Sequence, residues 1–271
     1  MITKPLRISK INWGNPLTEG LAFFAPLNEM AGAPFNVLPA PNPAVTMGSA
    51  SWGARGVIQP AASVAPRWST TAGEVGLNNF TVLLITDCPA GAAFSYMCSN
   101  RLGADSNQFW GLCSNLNAGG SVASGYIAFV GINGGTIKQN ANTNSAVLDG
   151  TVKVIVGVKS GGRYGTLYVD GKAFPTVDAA SYTYSSGLNT LGLGMYFTGT
   201  NYSSPATHQM LAVWNRALSP AEVAAISANP WQLLAQSSAS RIMRMLTAVP
   251  GGFSGVSRGR TLAGISRGRL L

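Results

Sequence analysis

A sandwich of two antiparallel β-sheets is the fold class this sequence predicts, and three observations carry it. Several runs are rich in branched and aromatic residues, among them Val152 to Val158, Tyr164 to Gly171, Leu188 to Phe197 and Met210 to Trp214. Thirty-three glycines and fifteen prolines supply the turns between such strands. Only one stretch of the 271 residues reads as a convincing helix, too little to cover a parallel sheet. A hydrophobic fraction of 46% with 10% charged residues is ample for a large core.

The closing element runs from His208 to Leu234. Met210, Ala212 and Trp214 fall on one face of a strand, and Leu211, Val213 and Asn215 on the other. Ser219 then reads as an N-cap, Pro220 as the first helical residue and Glu222 as its capping-box partner. Asn229, before Pro230, ends the helix. Upstream, Gly161-Gly162 can turn between Val152 to Val158 and Tyr164 to Val169, and Asp170-Gly171 makes a second tight turn. Residues 31 to 72 read as long loops and short edge strands, one of them near Gly56-Val57-Ile58.

Asn215-Arg216-Ala217-Leu218-Ser219 with Glu222 resembles the "N-R-A-L-S-x-x-E" turn that closes laminin-G-like, concanavalin A-like jelly rolls. Gly20 to Glu29 resembles the opening strand of that family, Phe80 to Thr86 its "F-T-V" strand, and Lys153 to Lys172 its central hairpin ending in "L-Y-V-D-G". These matches occur in family order. The resemblance implies an all-β concanavalin A-like jelly-roll sandwich with one short helix and extended terminal arms. Its expected organisation is an N-terminal arm over 1–16, a jelly roll over 17–234 and a basic arm over 235–271.

Several chemistries fit poorly. Gly131-x-x-Gly134-Gly135 lacks dinucleotide-binding spacing. The nine acidic residues contain no pair at i and i+2 or i and i+4, so the alternating carboxylate cluster usual in jelly-roll glucanases is missing. Calcium lacks a closely spaced acidic loop, and Thr207, His208 and Gln209 stand where relatives often carry acids. His208, the only histidine, reads as structural, and Cys88, Cys98 and Cys113 as buried thiols, although two of them could pair. The expectation is therefore a non-enzymatic protein with no catalytic residues, metal or cofactor. Lys4, Arg7 and Lys10 interrupt any secretory signal, and no apolar run suits a membrane span.

Sugar recognition without calcium would draw on Asn107, Gln108, Trp110, Tyr126 and Tyr202 as candidate glycan-binding residues. Charge points elsewhere. Residues 1–240 hold twelve Lys or Arg against nine acids, a formal +3, whereas 241–271 hold six Arg and no acid. Within that arm Gly255 to Ala263 repeats as Gly264 to Leu271. Arg241, Arg244, Val256, Arg258, Arg260, Leu262, Ile265, Arg267, Arg269 and Leu270 are candidate partner-binding residues. Docking to protein is favoured over a solvated tail or nucleic acid, since no aromatics interleave with the arginines and the repeat ends in Leu270-Leu271.

Asn229-Pro230-Trp231-Gln232-Leu233 completes a resemblance to laminin-G-like proteins among phage and prophage structural genes. That resemblance implies a multicopy or homo-oligomeric structural or decoration protein of a bacteriophage virion. It would be made in the host cytoplasm and docked to capsid or tail proteins through its arms. The alternative is an adhesion module that binds host-surface glycans.

Overall fold

The structure, a computed structural model, describes residues 10–29, 37–38, 45–60, 66–69, 79–91, 94–101, 109–116, 122–133, 136–161, 164–179, 190–193 and 205–235. The chain divides into two units, Met1–Ala235 and Gln236–Leu271, and the second lies wholly outside the described residues.

The strands pair antiparallel into two sheets. The back sheet runs β3 (Ser51–Gly53), β4 (Gly56–Gln59), β15 (Ala206–Trp214), β6 (Phe80–Thr86), β11 (Lys153–Ser160), β12 (Tyr164–Val169) and the first half of β13 (Lys172–Ala179). Beside β15 lies β1 (Leu21–Ala25). The front sheet runs β2 (Val45–Thr46), β5 (Arg67–Ser69), β14 (Thr190–Leu193), β7 (Ser95–Arg101), β8 (Phe109–Leu116), β9 (Val122–Asn133), β10 (Thr136–Asn142) and the second half of β13. β13 joins the two. Its first residues pair with β12 and its last with β10, and Pro175, which has no amide hydrogen for a ladder, stands at the change. Asp170 and Gly171, both at positive φ, make the two-residue turn from β12 to β13, as expected.

Between the sheets Phe23, Trp68, Phe80, Trp110 and Phe129 interlock with Val82, Leu84, Leu112, Ile155, Leu211 and Val213. Phe23 meets Trp68 edge-on at 5.1 Å, and Phe80 meets Phe129 edge-on at 6.0 Å, the arrangement that ring quadrupoles favour. The outer face of the back sheet is buried as well. Met210, Ala212 and Trp214 pack there with Leu83, Ile85 and Val156 against Val223 and Ile226 of α1 (Pro220–Ala228). β15 thus has the alternation read from its sequence. The register of β15 against β6 shifts between His208 and Met210, so the inward positions pass from Ala206 to Leu211 across a bulge at Gln209.

The Asn215-to-Glu222 motif is a clasp. Arg216 donates from Nη2 to Glu222 Oε1 at 2.7 Å and from Nε to the Glu19 carbonyl at 2.8 Å. Glu222 Oε2 accepts from the Ser219 amide, and Ser219 Oγ accepts from the Glu222 amide, completing the capping box. Thr81 Oγ1 donates to the Arg216 carbonyl and accepts from the Leu218 amide, fastening the turn to β6. Hydrogen bonding from Arg216 and Ser219 holds the Glu222 carboxyl down at about 2.

The expected boundary between arm and body at residue 16 moves upstream. Ile11 is only 7% exposed and bridges Leu234, while the Ala235 amide donates to the Lys10 carbonyl at 2.7 Å. Residues 10–16 are therefore part of the body. Their polar residues hid this from a reading based on periodicity.

Candidate functional site

Of the five residues nominated for sugar contact, the structure describes two. Trp110, in β8, is 0% exposed, with its ring 5.3 Å from Phe80. It stands opposite Asn100 of β7 and Gly131 of β9 and belongs to the inter-sheet core, so its nomination is corrected: this indole packs the sandwich and meets no surface ligand. Phe109 and Trp110 are adjacent aromatics, and the sequence alone does not say which faces in. Tyr126, in β9, is half-buried, and its neighbour Ile127 belongs to the inner core, which puts Tyr126 on the outer face of the front sheet. Asn107, Gln108 and Tyr202 lie outside the described residues, as do all the partner-binding candidates from Arg241 to Leu270.

The same outer face carries residues that the sequence reading missed. Phe94, half-buried just before β7, meets Tyr96 edge-on at 4.9 Å. Tyr96 packs with Cys113, Leu116, Ala128 and Val130, an apolar patch centred on the row Tyr96, Cys113 and Ala128. Toward one end of that patch come half-buried Phe94 and Tyr126. The alternation of Phe94 and Tyr96 with Ser95 was the available signal.

Local backbone chemistry fixes this end of the sheet. Asn115 adopts a positive φ of 59°, which its short amide tolerates better than most side chains. Its Oδ1 accepts from the amides of Gly91 at 3.1 Å and Gly125 at 2.9 Å. One buried side chain thereby ties β8 to the residues ahead of Phe94 and Tyr126. On the other side Thr143 exchanges hydrogen bonds with Ile127, giving its amide to the carbonyl and accepting the amide at Oγ1. The aromatic rings are held on a preset frame.

Reactive groups are scarce in this setting. Cys88, Cys98 and Cys113 are buried thiols, and burial pushes the Cys98 and Cys113 thiols well up, away from thiolate reactivity. His208 stands opposite Thr86 and Val57 and is 1% exposed; burial brings its pKa down to about 3, so the ring is neutral. Asp87 accepts from the Thr207 amide and pairs with Arg55 at 2.9 Å, while Asp170 accepts from the Val154 amide. These carboxylates hold backbone. Among the described residues no group of three or more His, Cys, Asp or Glu could hold a metal ion, and no helix is long and apolar enough to cross a membrane.

A family model described as the concanavalin A-like lectin/glucanases superfamily matches residues 94–224, from Phe94 into α1. Comparison with curated proteins finds no match. Among solved structures, Trypanosoma rangeli sialidase in complex with sialic acid is similar over 81% of this chain and 34% of its own, at 15% identity and a TM-score of 0.57. The botulinum neurotoxin serotype D/C binding domain is similar over 78% of this chain and 52% of its own, at 8% identity and a TM-score of 0.58. The receptor binding domain of a botulinum neurotoxin C/D mosaic serotype covers 78% and 51%, at 9% identity and a TM-score of 0.58. The chain thus spans between a third and about half of these structures. Likeness at such low identity concerns fold alone, and with the strand order it gives this body the fold of a two-sheet concanavalin A-like jelly-roll sandwich.

Proposed function

We propose that the protein is a non-enzymatic carbohydrate-binding module that adheres to surface glycans through the outer face of the front sheet. The observation that carries this is the pair of aromatics at the end of the front sheet: the apolar patch around Tyr96 and Cys113 is buried, as is the outer face of the back sheet under α1, whereas Phe94 and Tyr126 are left half-exposed. Aromatic rings take the apolar faces of sugars, and hydroxyl and amide groups take their edges. The fold likeness to a sialidase and to toxin binding domains supports the same reading. A glycan array probed with the full chain, beside a control with Arg258, Arg260, Arg267 and Arg269 changed to Gln, tests it. Retention of the same glycans by both proteins is expected; retention by neither, or by the arginine form alone, would refute it.

Such a module could serve on a virion, with the arginine repeat docking it to capsid or tail proteins. This part of the proposal rests on the charge asymmetry and the nine-residue repeat of the arm. Fixed stoichiometry in purified particles is its expected signature, and absence from them would end it.

A further inference from the structure

We propose that a recess beside Trp13, apart from the front-sheet face, binds a single neutral pyranose ring. The choice of sugar as ligand class rests on the adhesion reading above; the site itself rests on separate residues. Trp13 is 58% exposed, more than any other large hydrophobic side chain described. It borders a recess of about 430 Å³ shared with Pro16, Glu19 and Leu21, with the bare backbone of Gly14 and Gly20 between them. That volume falls in the range of small-ligand sites, about 300–1,000 Å³.

The frame around this indole is rigid, which makes its exposure informative. The Asn12 amide donates to the Leu233 carbonyl at 2.8 Å, Asn15 Nδ2 to the Gln232 carbonyl at 3.2 Å, and Trp214 Nε1 to the Leu17 carbonyl at 2.7 Å. Asn15 caps the helical turn Pro16–Thr18 by accepting from the Leu17 amide. Ile11 and Leu17 fill the apolar positions facing the body, so Trp13 is surplus to the packing of this segment. A large aromatic side chain left in water on a pinned backbone forgoes burial while remaining poised for a ligand, and little ordering cost accompanies binding.

The chemistry of the rim favours a sugar. The indole face carries the negative side of its quadrupole toward the polarised C–H groups of a pyranose. The exposed Glu19 carboxylate makes no hydrogen bond or ion pair among the described residues and can accept two hydroxyl hydrogens. A cation would also be drawn to Trp13 and Glu19. Arg216 reaches the Glu19 carbonyl and runs behind Gly20, where an added Cβ would lie 3.1 Å from it, but its charge is already paired with Glu222, so a cationic guest is the competitor that the test must include.

Fluorine NMR of the full chain labelled with 5-fluorotryptophan tests the site. It has six tryptophans, of which Trp13 is the most exposed, and the W13F variant assigns its signal. Methyl glucoside, methyl galactoside, methyl mannoside and N-acetylglucosamine are titrated separately into tens of millimolar, with tetramethylammonium as the cationic comparison. A saturable shift confined to the Trp13 signal is expected with at least one sugar, about tenfold weaker in E19Q. Ligand-observed saturation transfer should vanish in W13A and persist in part in W13F. No Trp13 response to any of the four sugars, a response to tetramethylammonium alone, or an unchanged affinity in E19Q would overturn the proposal. A Trp13 response in a protein that retains no glycan on the array leaves this site standing and removes the front-sheet reading; glycan retention with a silent Trp13 does the reverse.

Discussion

The two sheets share one core and part company on their outer faces. In the back sheet every residue of β6 is buried, because Val82 and Leu84 face the front sheet while Leu83 and Ile85 face Met210, Trp214 and α1. In the front sheet Leu112 and Phe129 face inward and the outer patch around Tyr96 and Cys113 is buried too, but that patch is small and ends in the half-buried aromatics Phe94 and Tyr126. A strand buried on both sides is committed to stability. The half-buried aromatics at the end of the front sheet, Phe94 and Tyr126, are less committed to packing, and the proposed recognition rests on them.

Substitutions on the two faces of β8 and β9 should separate these roles. Trp110→Ala empties the inner core and is expected to cost about 3–5 kcal/mol in chemical denaturation. A loss under about 1 kcal/mol would mean that the sandwich does not depend on this indole.

Acid should reveal the next effect. The folded pKa of His208, about 3, lies below its ordinary 6.5, so below pH 6.5 the unfolded chain binds a proton that the folded chain does not. Stability contributed by the neutral ring is complete above that pH and falls by about 1.4 kcal/mol per pH unit toward pH 3. Glu222, held at about 2 against 4.5, adds a separate loss only as pH drops below about 4.5. Urea midpoints of the wild type and His208→Leu at pH 7 and pH 5 should differ in slope, with the leucine variant nearly flat between them.

On the back sheet, Arg216→Ala opens the clasp to Glu222 and Glu19 and should cost about 1–2 kcal/mol, since the ion pair is partly buried and positions a capping residue. Calorimetry would register this as roughly 2–8 °C in Tm. Tyr126→Ala should have the least effect on folding, under about 1 kcal/mol, because the ring is half-buried on the outer face. If it destabilised as much as Trp110→Ala, the distinction between the faces would collapse.

How far the sequence could be read follows the same division. The back sheet was legible: the apolar run of β6, the hairpin from β11 to β12 and the capped helix each state their structure locally. The four central strands of the front sheet were not, because Ser95 to Asn142 mixes Ser, Asn and Gly with aromatics and its register shifts at Cys98, Leu116 and Ala141. A bulge changes which parity faces inward, so Trp110 reads as a surface ligand contact until its partners Asn100 and Gly131 are known. Tyr126 is nominated by residue type, while Phe94 and the frame built by Asn115 depend on pairings across the sheet.

The most direct test is the affinity of the full chain and its Tyr126→Ala variant for a glycan retained by the wild type, measured by surface plasmon resonance with Trp13→Ala in parallel. The account predicts at least a tenfold loss in Tyr126→Ala, about 1.4 kcal/mol, with an unchanged unfolding midpoint. Equal affinity of Tyr126→Ala and wild type would contradict recognition by the front sheet.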